Sequence, residues 1–309
     1  METQIQNILR QNTTKTYKMQ QLILLGLTRR QIADLVANGN YGFVQNVYAK
    51  MRAQGLLNPM NYISGTFNRR FGVEFEAYNV RRETLNQALN DAGISCCIEG
   101  YNHTTRSHWK IVTDGSLTGN DTFELVSPIL VGERGLRELE TVCRVLENCH
   151  AKVNKSCGTH VHFDAAGFSL SEWKRIYINY ARLEGTIDAF MPVSRRSNNN
   201  YYCKGFRNFA NFEDKINAAR TLQGISEIFG GSRYYKINPV SYSRHNTCEF
   251  RQHSGTVEYR KISNWIKFLD ALVTLSTAGT VTATSLEELT FITDDVKNYL
   301  KERTNQLNR

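Results

Sequence analysis

One seven-residue segment, Phe71-Gly72-Val73-Glu74-Phe75-Glu76-Ala77, constrains the fold of this chain more than any other. Hydrophobic and polar residues alternate along it, and successive side chains of a β-strand point to opposite faces of the sheet. Glu74 and Glu76 therefore lie on one face, about 7 Å apart at the usual rise per residue, and the hydrophobic residues lie on the other. The segment predicts a strand that covers a core with one face and presents two carboxylates on the other.

Three later segments repeat this alternation of polar and hydrophobic residues. Their polar residues are Glu124 in the segment 123–125, His160 and His162 in the segment 159–163, and Glu249 and Arg251 in the segment 248–251. We expect each segment to be a strand with its polar side chains on one face. Four strands thus offer polar groups that can converge on a single sheet face.

Four carboxylates on one sheet face require positive counter-charge. Two carboxylates about 6 Å apart repel each other by roughly 3 kcal/mol at an effective dielectric constant near 20. Glu74, Glu76, Glu124 and Glu249 therefore cannot stay ionised together without cations. Because structural zinc sites favour thiolates, a mixture of carboxylates and imidazoles favours Mg²⁺ or Mn²⁺. The pattern predicts a divalent metal site.

Length and composition indicate a globular protein with one large domain or two unequal ones. The chain has 309 residues, of which 41% are hydrophobic, and seven cysteines without a Cys-x-x-Cys pair. An odd number of unpatterned cysteines is typical of reduced thiols in the cytoplasm. The sequence has no apolar run of roughly 18 residues, as a membrane span needs, and no apolar segment typical of a signal peptide near its start. We expect a cytoplasmic protein without a membrane partner.

Residues 1–66 are predicted to form a small all-α domain followed by a linker, and residues 67–309 a second domain. The segment 1–70 carries nine basic and two acidic residues, and so most of the net charge of +9. Helices are expected from Thr16 to Gly26, from a capping box at Thr28–Gln31, and from Tyr41 to Gln54. The turn at 38–40 makes this arrangement similar to a helix-turn-helix module.

This basic module has two interpretations. It binds DNA or another polyanion, or it is a helical bundle that packs on the second domain or on another subunit. For the first interpretation, the candidate nucleic-acid contacts are Arg29, Arg30, Tyr41, Gln45, Asn46 and Lys50.

The second domain alternates strands and helices in a way that predicts an α+β fold with mostly antiparallel strands. Helices are expected at 82–92, 135–149, 169–190, 211–223 and 259–276. A last helix is expected to begin near Ser285, because Ser285–Glu288 has the residue pattern of a capping box. The sequence contains neither a Gly-rich dinucleotide fingerprint nor a Walker loop, so a nucleotide would have to be held by metals and arginines.

Five motifs occur in an order that resembles the amidoligase family, which comprises carboxylate–amine ligases related to glutamine synthetase and glutamate–cysteine ligase. They are Gly72–Glu76, Trp109–Ser116, Glu124–Pro128, Gly158–His162 and Cys248–Thr256, and the resemblance covers roughly Phe67 to Trp265. It implies a curved antiparallel sheet of glutamine-synthetase-like type that lines a funnel. It also implies ATP, Mg²⁺ or Mn²⁺, and a carboxylate and an amine from small molecules or peptides as substrates.

The same resemblance implies a role for each polar residue of the motifs. Glu74, His160 and Glu249 would hold the metal at the nucleotide phosphates, and Glu76 and Glu124 the metal near the substrate carboxylate. Arg251 would neutralise the transferred phosphoryl group, with Arg195 and Arg196 as weaker candidates for phosphate contacts. Asp114 and Ser116 would orient the amine, Asp114 also taking its proton. His162 departs from the family pattern and is assigned to contact the substrate instead of a metal.

Two other functions remain open from the sequence. Guanidino kinases use a related fold, so the domain could transfer phosphate to an acceptor and release a stable phosphorylated product. A regulator is the other alternative, in which the N-terminal module binds DNA and a ligase-like domain senses a metabolite. Four clustered carboxylates favour the enzyme over the sensor, because a sensor has no need for them.

Overall fold

The computed structural model describes residues 2–10, 13–25, 27–53 and 67–308. These residues form an α+β structure, which confirms the predicted fold class at that level. The predicted linker at 55–66 lies outside the described residues, so the division of the chain at residue 66 stays a prediction.

Helices and strands alternate along the described part of the chain. Its α-helices are α1 (Glu2–Arg10), α2 (Lys15–Leu24), α3 (Arg29–Val36), α4 (Tyr41–Ala53), α5 (Arg82–Asp91), α6 (Gly132–Asn148), α7 (Leu170–Ala189), α8 (Phe212–Ala218), α9 (Leu222–Ile228), α10 (Ser241–His245), α11 (Tyr259–Ala278) and α12 (Asp294–Leu307). Its strands are β1 (Arg70–Ala77), β2 (Cys96–Ile98), β3 (Trp109–Val112), β4 (Phe123–Val126), β5 (Leu130–Val131), β6 (Thr159–Asp164), β7 (Ile237–Asn238) and β8 (Thr247–Phe250).

The eight described strands form one open sheet in the order β2-β3-β4-β1-β6-β8-β7, and β5 pairs with β1 beside β4. All pairs are antiparallel except β2 with β3, which are parallel. The expectation of mostly antiparallel strands is therefore confirmed, while the antiparallel sheet implied by the family resemblance is mixed at this edge. Parallel neighbours need a connection that returns along the length of the strand. Residues 99–108 make that return, and they later form a wall of the candidate site.

The hydrophobic face of β1 is buried as predicted. Phe71, Val73 and Phe75 are at most 2% exposed. They belong to one continuous hydrophobic core, to which α6, α7 and α11 also contribute. Because this core covers one face of the sheet, the polar residues between the hydrophobic ones point to the opposite face.

Helices α1 to α4 have a separate hydrophobic cluster. Its buried residues include Met19, Leu22, Ile32, Val44 and Met51. The capping box at Thr28 and Gln31 is confirmed, because each side chain bonds the backbone amide of the other residue. Leu35 of α3 lies outside this cluster and is 43% exposed.

A buried ion cluster fixes the segment that follows α7. Lys236, which is fully buried, lies 2.6 Å from Glu184 Oε1 and 2.6 Å from Asp188 Oδ1. Both carboxylates also accept backbone amides of the loop that follows, Asp188 from Ser197 and Glu184 from Phe206. Removing one member would leave an uncompensated buried charge, so the three groups hold α7, this loop and the strand edge in one geometry.

Two predicted helices are wrong in their extent. The segment 211–223 is divided into α8 and α9, because the Thr221 hydroxyl accepts the Gly224 amide and begins a new helix. Ser285 makes no side-chain cap, the residues after it form only a 3₁₀ turn, and α12 begins at Asp294.

The close packing of α6 on the sheet can be tested by substitution of Gly135. A Cβ at this position would lie 2.8 Å from Leu130 Cβ and 2.9 Å from Phe71 Cε1. Gly135→Val should therefore lower the free energy of unfolding by about 2 kcal/mol or more, as overpacked cores do. Urea denaturation measures this loss. Gly100→Val is the matched control, because a Cβ there has no neighbour within 4 Å; equal stability of the two variants would contradict the packing described.

Candidate metal and active site

Strand register places the polar residues of four strands side by side. Glu76 is opposite Glu124 across β1 and β4, and Glu74 is opposite His160 across β1 and β6. His162 is opposite Glu249 across β6 and β8. Directly paired residues point to the same face of a sheet, so these side chains form a continuous polar patch.

Distances within the patch are those of direct contact. His160 Nδ1 lies 2.8 Å from Glu74 Oε2, and His162 Nε2 lies 3.2 Å from Glu74 Oε1 and 4.0 Å from Glu249 Oε2. Arg251 Nη1 donates to Glu249 Oε1 at 2.5 Å. Sequence positions 86 or more residues apart thus meet within one cluster.

Three overlapping groups of side chains have a geometry suited to a metal ion. In each group the potential ligand atoms all lie within 4.8 Å of one another. The groups are Glu74 with His162 and Glu249, Glu74 with Glu124 and His160, and Glu76 with Asp114 and Glu124. Carboxylate-rich sets with one imidazole suit Mg²⁺ or Mn²⁺.

His162 provides an independent sign that a cation belongs in this patch. Its Nδ1 contacts Thr247 Oγ1 at 3.1 Å, and its buried Nε2 lies 3.2 Å from Glu74 Oε1 without the geometry of a hydrogen bond. A buried nitrogen without a well-aligned partner is costly unless something binds it. A role as metal ligand would require the neutral ring with Nδ1 donating to Thr247, so that the lone pair of Nε2 points into the carboxylate cluster.

The pKa values of the carboxylates move in opposite directions. Burial, together with the charges of Glu74 and Glu76, raises the pKa of Glu124 well above its ordinary value. Burial also opposes ionisation of Glu249, but Arg251 and His162 outweigh it and lower the pKa of Glu249 to about 2. Glu74 is likewise held ionised, because His162 and His160 outweigh its burial and lower its pKa. Positive charge is therefore abundant at Glu249 and lacking at Glu124.

The patch forms the floor of a cavity of about 430 Å³. Loop 101–106, helix α10 and the strand segment around Arg70 contribute to its walls. Its lining includes seven basic residues, Arg30, Arg70, Arg106, Lys110, Arg233, Arg244 and Arg251. A cavity with an acidic floor and basic walls suits an anionic ligand held together with cations.

The loop that connects β2 to β3 is fixed over this cavity. Lys110 Nζ donates to Asn102 O and Thr104 O, each at 2.9 Å. At the start of the loop, hydrogen bonds from Arg106 and His108 lower the pKa of Glu99 to about 2. This loop is thus held by specific charged contacts, and sequence reasoning did not identify Lys110.

The other predicted catalytic residues are divided between the cavity and its surroundings. Asp114 lines the cavity and accepts the backbone amide of Ser116 at 2.7 Å, while the Ser116 side chain is outside the lining. Arg195 is 3% exposed and donates to Cys157 O, behind the patch. Arg196 donates to Met191 O at 2.7 Å and to Asn308 Oδ1 at 2.8 Å, which directs it toward the end of α12.

Asn238 was also missed by the sequence analysis. It lies opposite Glu249 in the register of β7 and β8, and its Nδ2 donates to Glu249 Oε2 at 2.6 Å. Asn238 lies on β7, next to the strand β8 that carries the motif residue Glu249, and this position is the one signal that could have identified it. Together with Arg251, Asn238 fixes the orientation of the Glu249 carboxylate.

The candidate nucleic-acid residues of the N-terminal module lie in different surroundings. Arg29 contacts Glu172 of α7 at 3.2 Å and donates to Gln45 at 2.6 Å, and its side chain is 11% exposed. Arg30 lies 3.7 Å from Asp164 and lines the cavity. Asn46 and Lys50 remain exposed, and Tyr41 lies 3.5 Å from Gly167 O. The module therefore packs on the second domain through part of its basic surface, and nucleic-acid binding by the rest stays a prediction.

Fold and site together define an α+β protein with a carboxylate–imidazole cluster that could hold a metal ion, inside a cavity with basic walls. A family model described as "putative amidoligase enzyme" matches residues 67–273, and the chain belongs to this family of ligases. A comparison with curated proteins gave no match. In the described part of the chain, none of the helices has the length and hydrophobicity needed to cross a membrane.

Substitution of His162 tests whether its unpartnered nitrogen binds a metal. His162→Ala should weaken Mn²⁺ binding by more than about a hundredfold, because the loss of a supporting contact alone typically costs ten- to a hundredfold. Calorimetric titration of the metal-free protein measures the affinity.

His245→Ala is the matched control for this substitution. Its ring lies 6.2 Å from that of His162 and it lines the same cavity, yet it belongs to none of the three ligand groups. Mn²⁺ affinity that is unchanged in His162→Ala, or reduced equally in both variants, would contradict a ligand role for His162.

Proposed function

We propose that this protein is an ATP-dependent ligase that joins a carboxylate to an amine through an acyl phosphate. The observation that carries the proposal is the meeting of Glu74, Glu124, His162 and Glu249 in one cavity, with ligand atoms within 4.8 Å of each other in each group. Membership of the amidoligase family supports a ligase, and the acidic floor and basic walls suit a triphosphate with its cations.

The residues fit two neighbouring metal positions. Glu74, His162 and Glu249 would hold one cation beside Arg251, and Glu76 and Glu124 would hold another on the β4 side, with Asp114 next to both carboxylates. The cations would neutralise phosphate charge and polarise the reacting oxygens. This assignment differs from the one implied by sequence resemblance in two respects: His162 becomes a ligand, and His160 supports Glu74 through their 2.8 Å contact.

The proposed reaction has two steps, phosphoryl transfer and attack by the amine. A substrate carboxylate oxygen attacks the γ-phosphorus of ATP, and the bond to ADP breaks. The amine nitrogen then attacks the acyl carbon, inorganic phosphate leaves, and a proton is lost from the amine. Each step displaces a leaving group that carries negative charge, so groups that stabilise this charge supply most of the catalysis.

Arg251 is suited to the phosphoryl-transfer step, and Asp114 is suited to the step in which the amine attacks. Interaction with Glu249 outweighs burial and raises the pKa of Arg251 further, so the guanidinium is charged at every working pH. Such a group can neutralise the transferred phosphoryl oxygens. Asp114 lines the opposite side of the cavity, and the Ser116 amide holds its carboxylate in one orientation. It is the candidate for receiving the amine proton.

Trapping with hydroxylamine tests the proposal without knowledge of the natural amine. Wild-type protein with Mg²⁺, ATP, hydroxylamine and a mixture of amino acids and dipeptides should release ADP and form a hydroxamate. Glu249→Gln should reduce both by at least about a hundredfold, because it removes a charge that binds the metal and orders Arg251. Mass spectrometry identifies the hydroxamate.

The control variant is Glu302→Gln, which removes an exposed carboxylate whose partner is Arg260. It should keep full activity. A stable phosphorylated product without hydroxamate would instead favour a phosphotransferase. Absence of any ATP turnover, combined with salt-dependent duplex binding, would favour the regulator.

A further inference from the structure

Three tyrosines form a cluster of aromatic rings at the β7 edge of the sheet. The ring centroids of Tyr201 and Tyr202 are 5.3 Å apart, and Tyr234 lies 5.4 Å from the first and 5.1 Å from the second. Tyr201 is 62% exposed and Tyr202 is 43% exposed, so both side chains are accessible from solvent. Such an exposed aromatic patch marks a binding surface more often than a random surface position does.

Two cations accompany the rings of this tyrosine cluster. Lys204 Nζ lies 4.6 Å from the ring centroid of Tyr201, and the Arg233 guanidinium lies 5.3 Å from that of Tyr234. Arg233 also lines the cavity described above. The aromatic cluster is therefore continuous with the candidate active site through this one residue.

A second connection leads directly to the phosphate end of the site. Arg251 Nε donates to Tyr202 O at 3.5 Å, while its Nη1 bonds Glu249. The Arg251 amide donates to Lys236 O at 2.8 Å, two residues after Tyr234. The tyrosines thus lie next to the group that would contact nucleotide phosphates, whereas Glu124 lies on β4, which β1 and β6 separate from β8.

We propose that Tyr201, Tyr202 and Tyr234 form a stacking surface for the base of the nucleotide whose phosphates lie at Arg251. This inference rests on the proposed function and adds to it the location of the base. Aromatic faces combined with Lys or Arg are the usual surface on which nucleobases stack. The charges near the rings agree: Lys204 and Arg233 lie beside the tyrosines, so the route from Arg251 to the rings carries further positive charge.

Comparison of ATP with inorganic tripolyphosphate separates base binding from phosphate binding. Both ligands are titrated with Mg²⁺ into the full chain, as wild type and as the double variant Tyr201→Ala/Tyr202→Ala. The double variant should bind ATP about tenfold more weakly, the loss expected for one stacked base, and bind tripolyphosphate with wild-type affinity. Tyr201→Phe/Tyr202→Phe keeps the rings and should retain ATP affinity.

Tyr17→Ala is the matched control, since Tyr17 is 44% exposed in α2 and outside the cluster. ATP affinity of the alanine double variant within twofold of wild type would overturn the inference and leave the proposed ligase intact. Equal losses for ATP and tripolyphosphate would also overturn it, because the phosphate end would then be affected. Failure of wild-type protein to bind Mg-ATP would contradict both the inference and the proposed function.

Discussion

Repulsion between carboxylates that share one sheet face is the constraint on which the rest of this structure depends. Pairing Glu76 with Glu124 and placing Glu74 next to them concentrates negative charge where water is largely excluded. The protein compensates this charge on one side only. Arg251, His160 and His162 keep Glu74 and Glu249 ionised, while burial and neighbouring charge raise the pKa of Glu124. Full ionisation of such a centre requires added cations, and without them Glu124 is the carboxyl that holds a proton most readily.

The remaining structure keeps these groups in register. A continuous hydrophobic core covers the opposite face of the sheet, so a shift by one residue would move every polar side chain of a strand into that core. The buried cluster of Lys236, Glu184 and Asp188 fixes the segment after α7, and Gln252 joins it through Asp188 at 2.6 Å. Gln252 directly follows Arg251, so the same network that orders the loop also positions Arg251, the arginine proposed to contact phosphate.

Alternation along single strands was enough to predict which residues share the site face. Glu74, Glu76, Glu124, His160 and Glu249 were all identified in this way, because the period of a strand is local information. The role of His162 could not be predicted from the local sequence. Its Nε2 becomes a ligand candidate only because the strand register places His162 opposite Glu249 and because Thr247 contacts its Nδ1. Asn238 and Lys110 were missed for the same reason, since their partners are on other strands or loops.

Tertiary packing also explains the errors in the fold. Ser285–Glu288 has the residues of a capping box, yet it forms a 3₁₀ turn, and Leu286, Leu289 and Phe291 are buried in the main core. The parallel pairing of β2 and β3 was invisible in the sequence, because both strands are short and their order depends on contacts across the sheet. The polar loop 101–107 was expected to form a pocket wall, and residues 101–106 do line the cavity, but its conformation depends on contacts such as those of Lys110 and could not be predicted.

Anomalous diffraction from crystals soaked with Mn²⁺ tests the central claim most directly. The account predicts manganese peaks within about 2.0–2.3 Å of carboxylate oxygens, the bonding range of hard divalent cations. One peak should lie between Glu74, His162 and Glu249, and another near Glu124. Crystals in which the cluster binds no manganese, at concentrations that saturate known manganese enzymes, would contradict it.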